Sequence, residues 1–128
     1  HGSTFGGNPL ASAVAIAALD VLEREDLCAR SASLGAWLIT ELRAIDSPLI
    51  ADVRGRGMFI GIEVDAGKVT ARAVVERLLE RGLLSKDTHG TVVRIAPPLV
   101  VARDDLAWAV GEIAAAFRDL ESRVKTAA

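Results

Sequence analysis

The sequence contains one cysteine, Cys28, in 128 residues. A single thiol closes no internal disulfide and has no second cysteine with which to build a zinc site, so a reducing, cytoplasmic setting is expected. Aromatic residues amount to only 4%, too few for the stacking platforms that bind bases. Basic residues are not clustered, and 15 of them against 17 acidic ones leave a net charge of -2. That balance lacks the basic face that nucleic acid requires. No apolar run reaches the ~20 residues of a bilayer crossing, and no basic stretch followed by an apolar one opens the chain as a secretory signal. Neither nucleic acid nor membrane is expected as a partner. An initial methionine is also missing. His1 comes first, with Gly2, Gly6 and Gly7 already set around Ser3 and Thr4, so the sequence reads as one that starts within a longer protein.

What is present is apolar enough for a real core, with 51% hydrophobic and 25% charged residues. A chain of this size buries roughly two thirds of its unfolded surface. Asn8-Pro9 starts a helix, because asparagine caps free N–H groups and proline is tolerated at the first helical position. Residues 10–22 are apolar on nearly every side, the mark of a helix buried or clamped between two bodies. A second helix is predicted over 27–45, with Leu27, Leu34, Leu38, Leu42 and Ile45 as its stripe. Strands follow at 50–53 and 58–64, joined through Gly55-Arg56-Gly57, and Met58, Ile60, Ile62 and Val64 alternate toward the core. Thr70 caps a third helix carrying Val74, Val75, Leu78 and Leu79, which Gly82 ends. A short strand is expected at 83–85, a turn at 87–90, and a strand at 91–96 that Pro97-Pro98 terminates. The last helix, about 104–124, carries Leu106, Val110, Ile113, Phe117, Leu120 and Val124. The expected fold is therefore α/β of the α+β type: three or four mainly antiparallel strands with helices packed on one side.

Three features could carry chemistry. Ser3 and Thr4, among glycines ahead of a helix start, suit either an anion cradle or a turn that merely caps the helix. Arg94 lies inside the apolar strand Val92-Val93-Arg94-Ile95-Ala96. Its planar fork matches a carboxylate, though an internal salt bridge or a solvent-facing strand side would also accommodate it. Arg54-Gly55-Arg56-Gly57 reads as a solvated or structural turn. Lys86, His89 and Cys28 receive no chemical role, and no set of residues suggests a metal.

The opening His1-Gly2-Ser3-Thr4-Phe5-Gly6-Gly7-Asn8-Pro9-Leu10-Ala11 precedes an alanine-rich helix. It is followed in order by Val53-Arg54-Gly55-Arg56-Gly57-Met58 and Arg94-Ile95-Ala96-Pro97-Pro98-Leu99-Val100. Together these closely resemble the class III aminotransferases, which are fold-type I pyridoxal-phosphate enzymes. Gly82-Leu83-Leu84-Ser85-Lys86-Asp87-Thr88-His89-Gly90 is similar to the ornithine aminotransferases of that family. Acetylornithine aminotransferases share the opening motif but usually lack this Thr-His-Gly.

The resemblance implies that residues 1–26 form a cofactor-phosphate loop and interdomain helix, and residues 27–128 the C-terminal small domain. Ser3 and Thr4 would hold the phosphate of pyridoxal 5'-phosphate bound in the neighbouring subunit of a homo-oligomer. Arg94 would bind a substrate carboxylate in the 2-oxoglutarate half-reaction, and a large-domain glutamate would cover it when ornithine binds. The family's Schiff-base lysine, ring-nitrogen aspartate, stacking aromatic and masking glutamate belong to a large domain upstream. Lys68, Lys86 and Lys125, the only lysines, sit in unlike contexts, so the chain contains no expected catalytic residue and needs a large domain as partner. Other readings are a fragment of an acetylornithine or other class III enzyme, a non-catalytic interaction remnant, and a free-standing domain that binds a carboxylate through Arg94.

Overall fold

The computed structural model describes residues 2–127. His1, Ala128 and the side chains of residues 124–127, among them Val124 and Lys125, fall outside the described residues. The elements run α1 (Pro9–Arg24), α2 (Leu27–Arg43), β1 (Ile50–Arg56), β2 (Phe59–Val64), α3 (Ala71–Glu80), β3 (Lys86–Thr88), β4 (Val92–Ile95) and α4 (Arg103–Ala127). The strands form one sheet in the order β1-β2-β4-β3, every neighbouring pair antiparallel.

Alternation along β2 decides which face of the sheet is covered. Ile60, Ile62 and Val64 are buried together with Met58, whereas Phe59 is 63% exposed. The buried set packs with Leu38 and Leu42 of α2, Val74 and Leu78 of α3, and Ile113 and Phe117 of α4 in one core. Three helices thus cover one face and leave the other open.

Helix caps follow the local chemistry. Asn8 Oδ1 accepts the Ala11 N–H at 2.9 Å, and Thr70 Oγ1 accepts the Ala73 N–H at 3.2 Å. Gly82 leaves α3 at φ +83°, in the left-handed region that favours glycine. Gly57 occupies the first position of the two-residue β1–β2 turn at φ +55°, where such hairpins favour glycine.

Two expectations are corrected. The third strand is Lys86–Thr88 rather than 83–85, because the turn through His89 and Gly90, both at positive φ, sets the register and pairs Thr88 with Val92. Leu83 packs against the core and Leu84 points outward, so the apolar pair is an anchor rather than a strand. Leu79 is exposed, because the buried stripe of α3 runs through Ala71, Val74, Val75 and Leu78.

Polar clasps hold α3 and α4 together. Arg77 Nε and Arg81 Nε donate to Asp119 Oδ2 at 2.8 and 3.0 Å, and Arg81 Nη1 donates to Glu112 at 2.9 Å. Arg81 and then Arg77 hold the Asp119 carboxyl below the usual aspartate range. A depressed folded-state value means that the clasp contributes fully above the ordinary aspartate pKa and is lost as pH falls through the folded value. Asp119→Asn is therefore expected to lower Tm by several degrees at pH 7. It should also flatten the acid side of the stability profile, as followed by thermal unfolding from pH 7 down to pH 2. An unchanged acid side would show that Asp119 is not the group responsible.

Candidate functional site

Residue pairing across the sheet assigns the open face row by row. Arg54 lies opposite Gly61, Gly61 opposite Arg94, and Arg94 opposite Lys86. The next row along runs Asp52, Glu63, Val92, Thr88. Cationic and anionic groups therefore share this face, unequally matched. Arg54 donates to Asp52 at 3.0 Å and to Glu63 at 2.6 Å. The run Arg54-Gly55-Arg56-Gly57, expected as a turn, lies in β1 up to Arg56, and its first arginine is tied down by ion pairing. Thr91 donates to the second oxygen of Glu63 at 2.6 Å. The Thr91 hydroxyl first, then Arg54, keep Glu63 more acidic than an ordinary glutamate. Both carboxylates on that row are thereby committed to Arg54.

Arg94 is exposed on β4, and its guanidinium makes no hydrogen bond or ion pair among the described residues. Of the arrangements open to it from sequence, the solvent-facing side is realised and the internal salt bridge is not. The residue opposite it on β2 is a glycine, and a Cβ on Gly61 would stand 3.0 Å from Val92 Cγ1, so a larger residue there would crowd Val92 on this face. Beyond the strand, Arg30 fixes the following segment. Its Nε donates to Leu99 O at 3.1 Å and its Nη2 to Val101 O at 2.6 Å, which ties the run after Pro97-Pro98 to α2. Arg94 thus sits on a strand whose following segment is braced against α2.

The opening loop is ordered by its own bonds. Ser3 Oγ accepts the Gly6 N–H at 3.0 Å, which leaves its hydroxyl proton free to donate. The exposed Thr4 hydroxyl has no protein partner among the described residues. Asn8 donates to Phe5 O at 2.7 Å while capping α1, and Gly7 turns the chain at φ +77°. Two outward hydroxyl donors near the positive end of a 16-residue helix match the chemistry of a phosphate. They do not suit a metal cation. No described cluster of three or more His, Cys, Asp or Glu could hold a metal either.

No hydrogen bond joins this loop to the sheet among the described residues. Ser3 and Thr4 are therefore not brought together with Arg94 by bonding within the chain. Helix α1 between them buries none of its residues, and Leu10, the most exposed of its large side chains, is 76% accessible. Sequence reasoning left both Gly61 and Lys86 without a role. A glycine in a strand interior is itself a sign of close approach, but its position beside Arg94 needed the register.

Comparison with known proteins shows the family and the fold. The profile of the class-III aminotransferases matches residues 1–117. Ornithine aminotransferase of Halalkalibacterium halodurans is 58% identical over 113 residues, 88% of this chain and 28% of that protein. The Bacillus subtilis ornithine aminotransferase is 56% identical over 119 residues, 93% of this chain and 29% of its own length. Among solved structures, a Toxoplasma gondii ornithine aminotransferase superposes with a TM-score of 0.87 at 43% identity, covering 98% of this chain and 30% of that one. An acetylornithine aminotransferase from Elizabethkingia anophelis superposes at 0.85 and 41% identity, covering 93% and 31%. The chain spans under a third of the length of these relatives. With its antiparallel sheet, its one-sided helical cover and a match running from the glycine loop into the last helix, the chain belongs to the class-III aminotransferase family.

Proposed function

We propose that this chain is the part of an ornithine aminotransferase that supplies a phosphate-binding loop and a carboxylate-binding arginine to an active site completed by a large domain. The observation that carries the reading is Arg94: a guanidinium held on a braced strand, beside a glycine, with the neighbouring carboxylates Asp52 and Glu63 already bound to Arg54. The names of the relatives favour ornithine as amino donor, and 2-oxoglutarate as acceptor follows the family pattern. The products would be glutamate semialdehyde and glutamate.

In this reading residues 1–26 are a loop and interdomain helix, and residues 27–128 the small domain. Ser3 and Thr4 donate hydroxyl hydrogen bonds to the phosphate of pyridoxal 5'-phosphate in a neighbouring subunit. That assignment suits a loop with no bond to the Arg94 sheet. When bound, the cofactor supplies the electron sink that makes amino-group transfer possible. The chain's own residues orient: the opening hydroxyls grip the phosphate, and Arg94 clamps one carboxylate of the oxo acid in two-pronged fashion. When ornithine is the substrate, a large-domain glutamate covers Arg94 instead. Exposed apolar side chains on α1, Leu10, Val14, Ile16 and Leu19, then meet the large domain or a second subunit. Exposed Cys28 accords with a reducing, cytoplasmic site of action.

Complementation tests the proposal. The chain is expected to yield no product alone. Mixed with a separately produced large domain of a close relative, it should restore transamination of ornithine with 2-oxoglutarate. A complex that forms stably and binds cofactor yet turns over neither substrate would instead support an interaction remnant.

A further inference from the structure

Lys86 received no role from the sequence, and the sheet gives it a specific neighbour. It is the direct cross-strand partner of Arg94. Directly opposed residues of an antiparallel pair have Cβ atoms about 4.5–5.5 Å apart, and like charges there repel. Both side chains are exposed, and neither has an ion pair among the described residues. Nearby carboxylates are committed elsewhere. Glu63 and Asp52 hold Arg54, and Asp87 lies opposite Val93 on the covered side of the register and faces Arg72 at 3.7 Å. Two cations thus stand side by side at the β4–β3 edge of the open face, with the side-chain-free Gly61 on the other flank of Arg94. Nothing within the described chain offsets the repulsion. An anion arriving at Arg94 would, and it would gain from both charges.

We infer that Lys86 is a specificity-determining positioning residue. Set across from Arg94, it adds a second positive charge behind the oxo-acid carboxylate and strengthens capture of that substrate. The inference rests on Arg94 being the carboxylate-binding arginine. Lys86 does not make the planar two-pronged contact, which belongs to the guanidinium. It raises the local potential, an effect that acts on encounter and ground-state binding and weakens with salt.

The test uses the full-length enzyme carrying Lys86→Gln, Lys86→Arg and Lys86→Glu, with Arg94→Lys in parallel. Lys86→Gln is expected to raise KM for 2-oxoglutarate, and its calorimetric dissociation constant, about fivefold, the scale of one partly screened charge at this distance. Turnover and the ornithine half-reaction should stay within about twofold of the parent, since the charge acts on binding of the anion. The salt dependence of KM should become shallower, and Lys86→Arg should retain parental binding. Lys86→Glu places a carboxylate opposite Arg94 and should weaken oxo-acid binding further than Lys86→Gln. Unchanged KM, dissociation constant and salt slope in Lys86→Gln overturn the inference if Arg94→Lys still impairs the oxo-acid half-reaction selectively. An equal rise for ornithine and oxo acid in Lys86→Gln overturns it as well, by marking a structural role. Equal losses in both half-reactions from Arg94→Lys remove the premise itself.

Discussion

Arg94→Lys, introduced into the complete enzyme, is expected to cripple the 2-oxoglutarate half-reaction while leaving the ornithine half-reaction nearly intact. The substitution keeps the charge and removes the fork, so any loss measures two-pronged recognition rather than electrostatics alone. In the isolated chain Arg94 faces solvent, and there the change costs almost nothing. The penalty is expected only in the complete enzyme, where the proposed large domain would cover the open face. An arginine desolvated opposite a carboxylate is then worth about 2–5 kcal/mol on loss of its partner geometry, or about 30-fold to several thousand-fold in rate. Single-turnover measurement of each half-reaction separates the two substrates. Equal loss in both would demote Arg94 to a structural residue, and no loss in either would remove it from the site. Thermal unfolding of the variant should match the parent, since no described contact depends on the guanidinium.

The second large effect is structural and centres on Gly35, inside α2. A Cβ there would stand 2.1 Å from both the carbonyl carbon and oxygen of Gly57, in the turn between β1 and β2. The same contact is closed from the other side. Ser31 Oγ accepts the Met58 N–H at 3.2 Å, and a Cβ on Gly57 would meet that oxygen at 2.6 Å. Helix and hairpin therefore touch backbone to backbone, and neither can yield without moving an element of the core. Gly35→Ala is expected to destabilise by about 3 kcal/mol or more, the range of severe overpacking. Gly111→Ala is the control. It lies on the exposed side of α4 with nothing within 4 Å of a new Cβ, and should stabilise by about 0.5–1 kcal/mol through helix propensity. Chemical denaturation of the two variants should give shifts of opposite sign. A neutral Gly35→Ala would mean that α2 sits farther from the turn than the structure shows.

The elements most legible in the sequence were those whose period recurs several times. The stripe Leu106, Val110, Ile113, Phe117 and Leu120 announces α4, and all but half-buried Val110 lie buried against the core. Alternation from Met58 to Val64 announces β2 and its buried face in the same way. Capping chemistry at Asn8 and Thr70 marked two helix starts because it is local, involving residues three apart. The stretch 83–88 was misread because period carries little information over three residues. Two leucines suggested a strand, while the ladder formed three residues later. A turn with positive φ at both His89 and Gly90 decided that pairing, and backbone hydrogen bonding outweighs local hydrophobicity in so short a strand.

The candidate site divides along the same line. Ser3, Thr4 and Arg94 were visible because their residue types are unusual for their surroundings: hydroxyls among glycines, and a guanidinium among valines. Their chemistry is intrinsic to the side chains and needs no coordinates. Which residues stand beside Arg94 is another matter. Gly61 and Lys86 lie 33 and 8 positions away along the chain and reach it only through the pairing of β2 and β3 with β4. Likewise, Asp52 and Glu63 are separated by a hairpin, and only its register brings both onto Arg54. The sequence by itself determined the fold class, the helix starts and the types of group available for binding, since these depend on side-chain period and local hydrogen bonding. Only the tertiary structure decided which charges are neutralised and which remain free, because cross-strand register places residues within Coulombic reach irrespective of their distance in sequence.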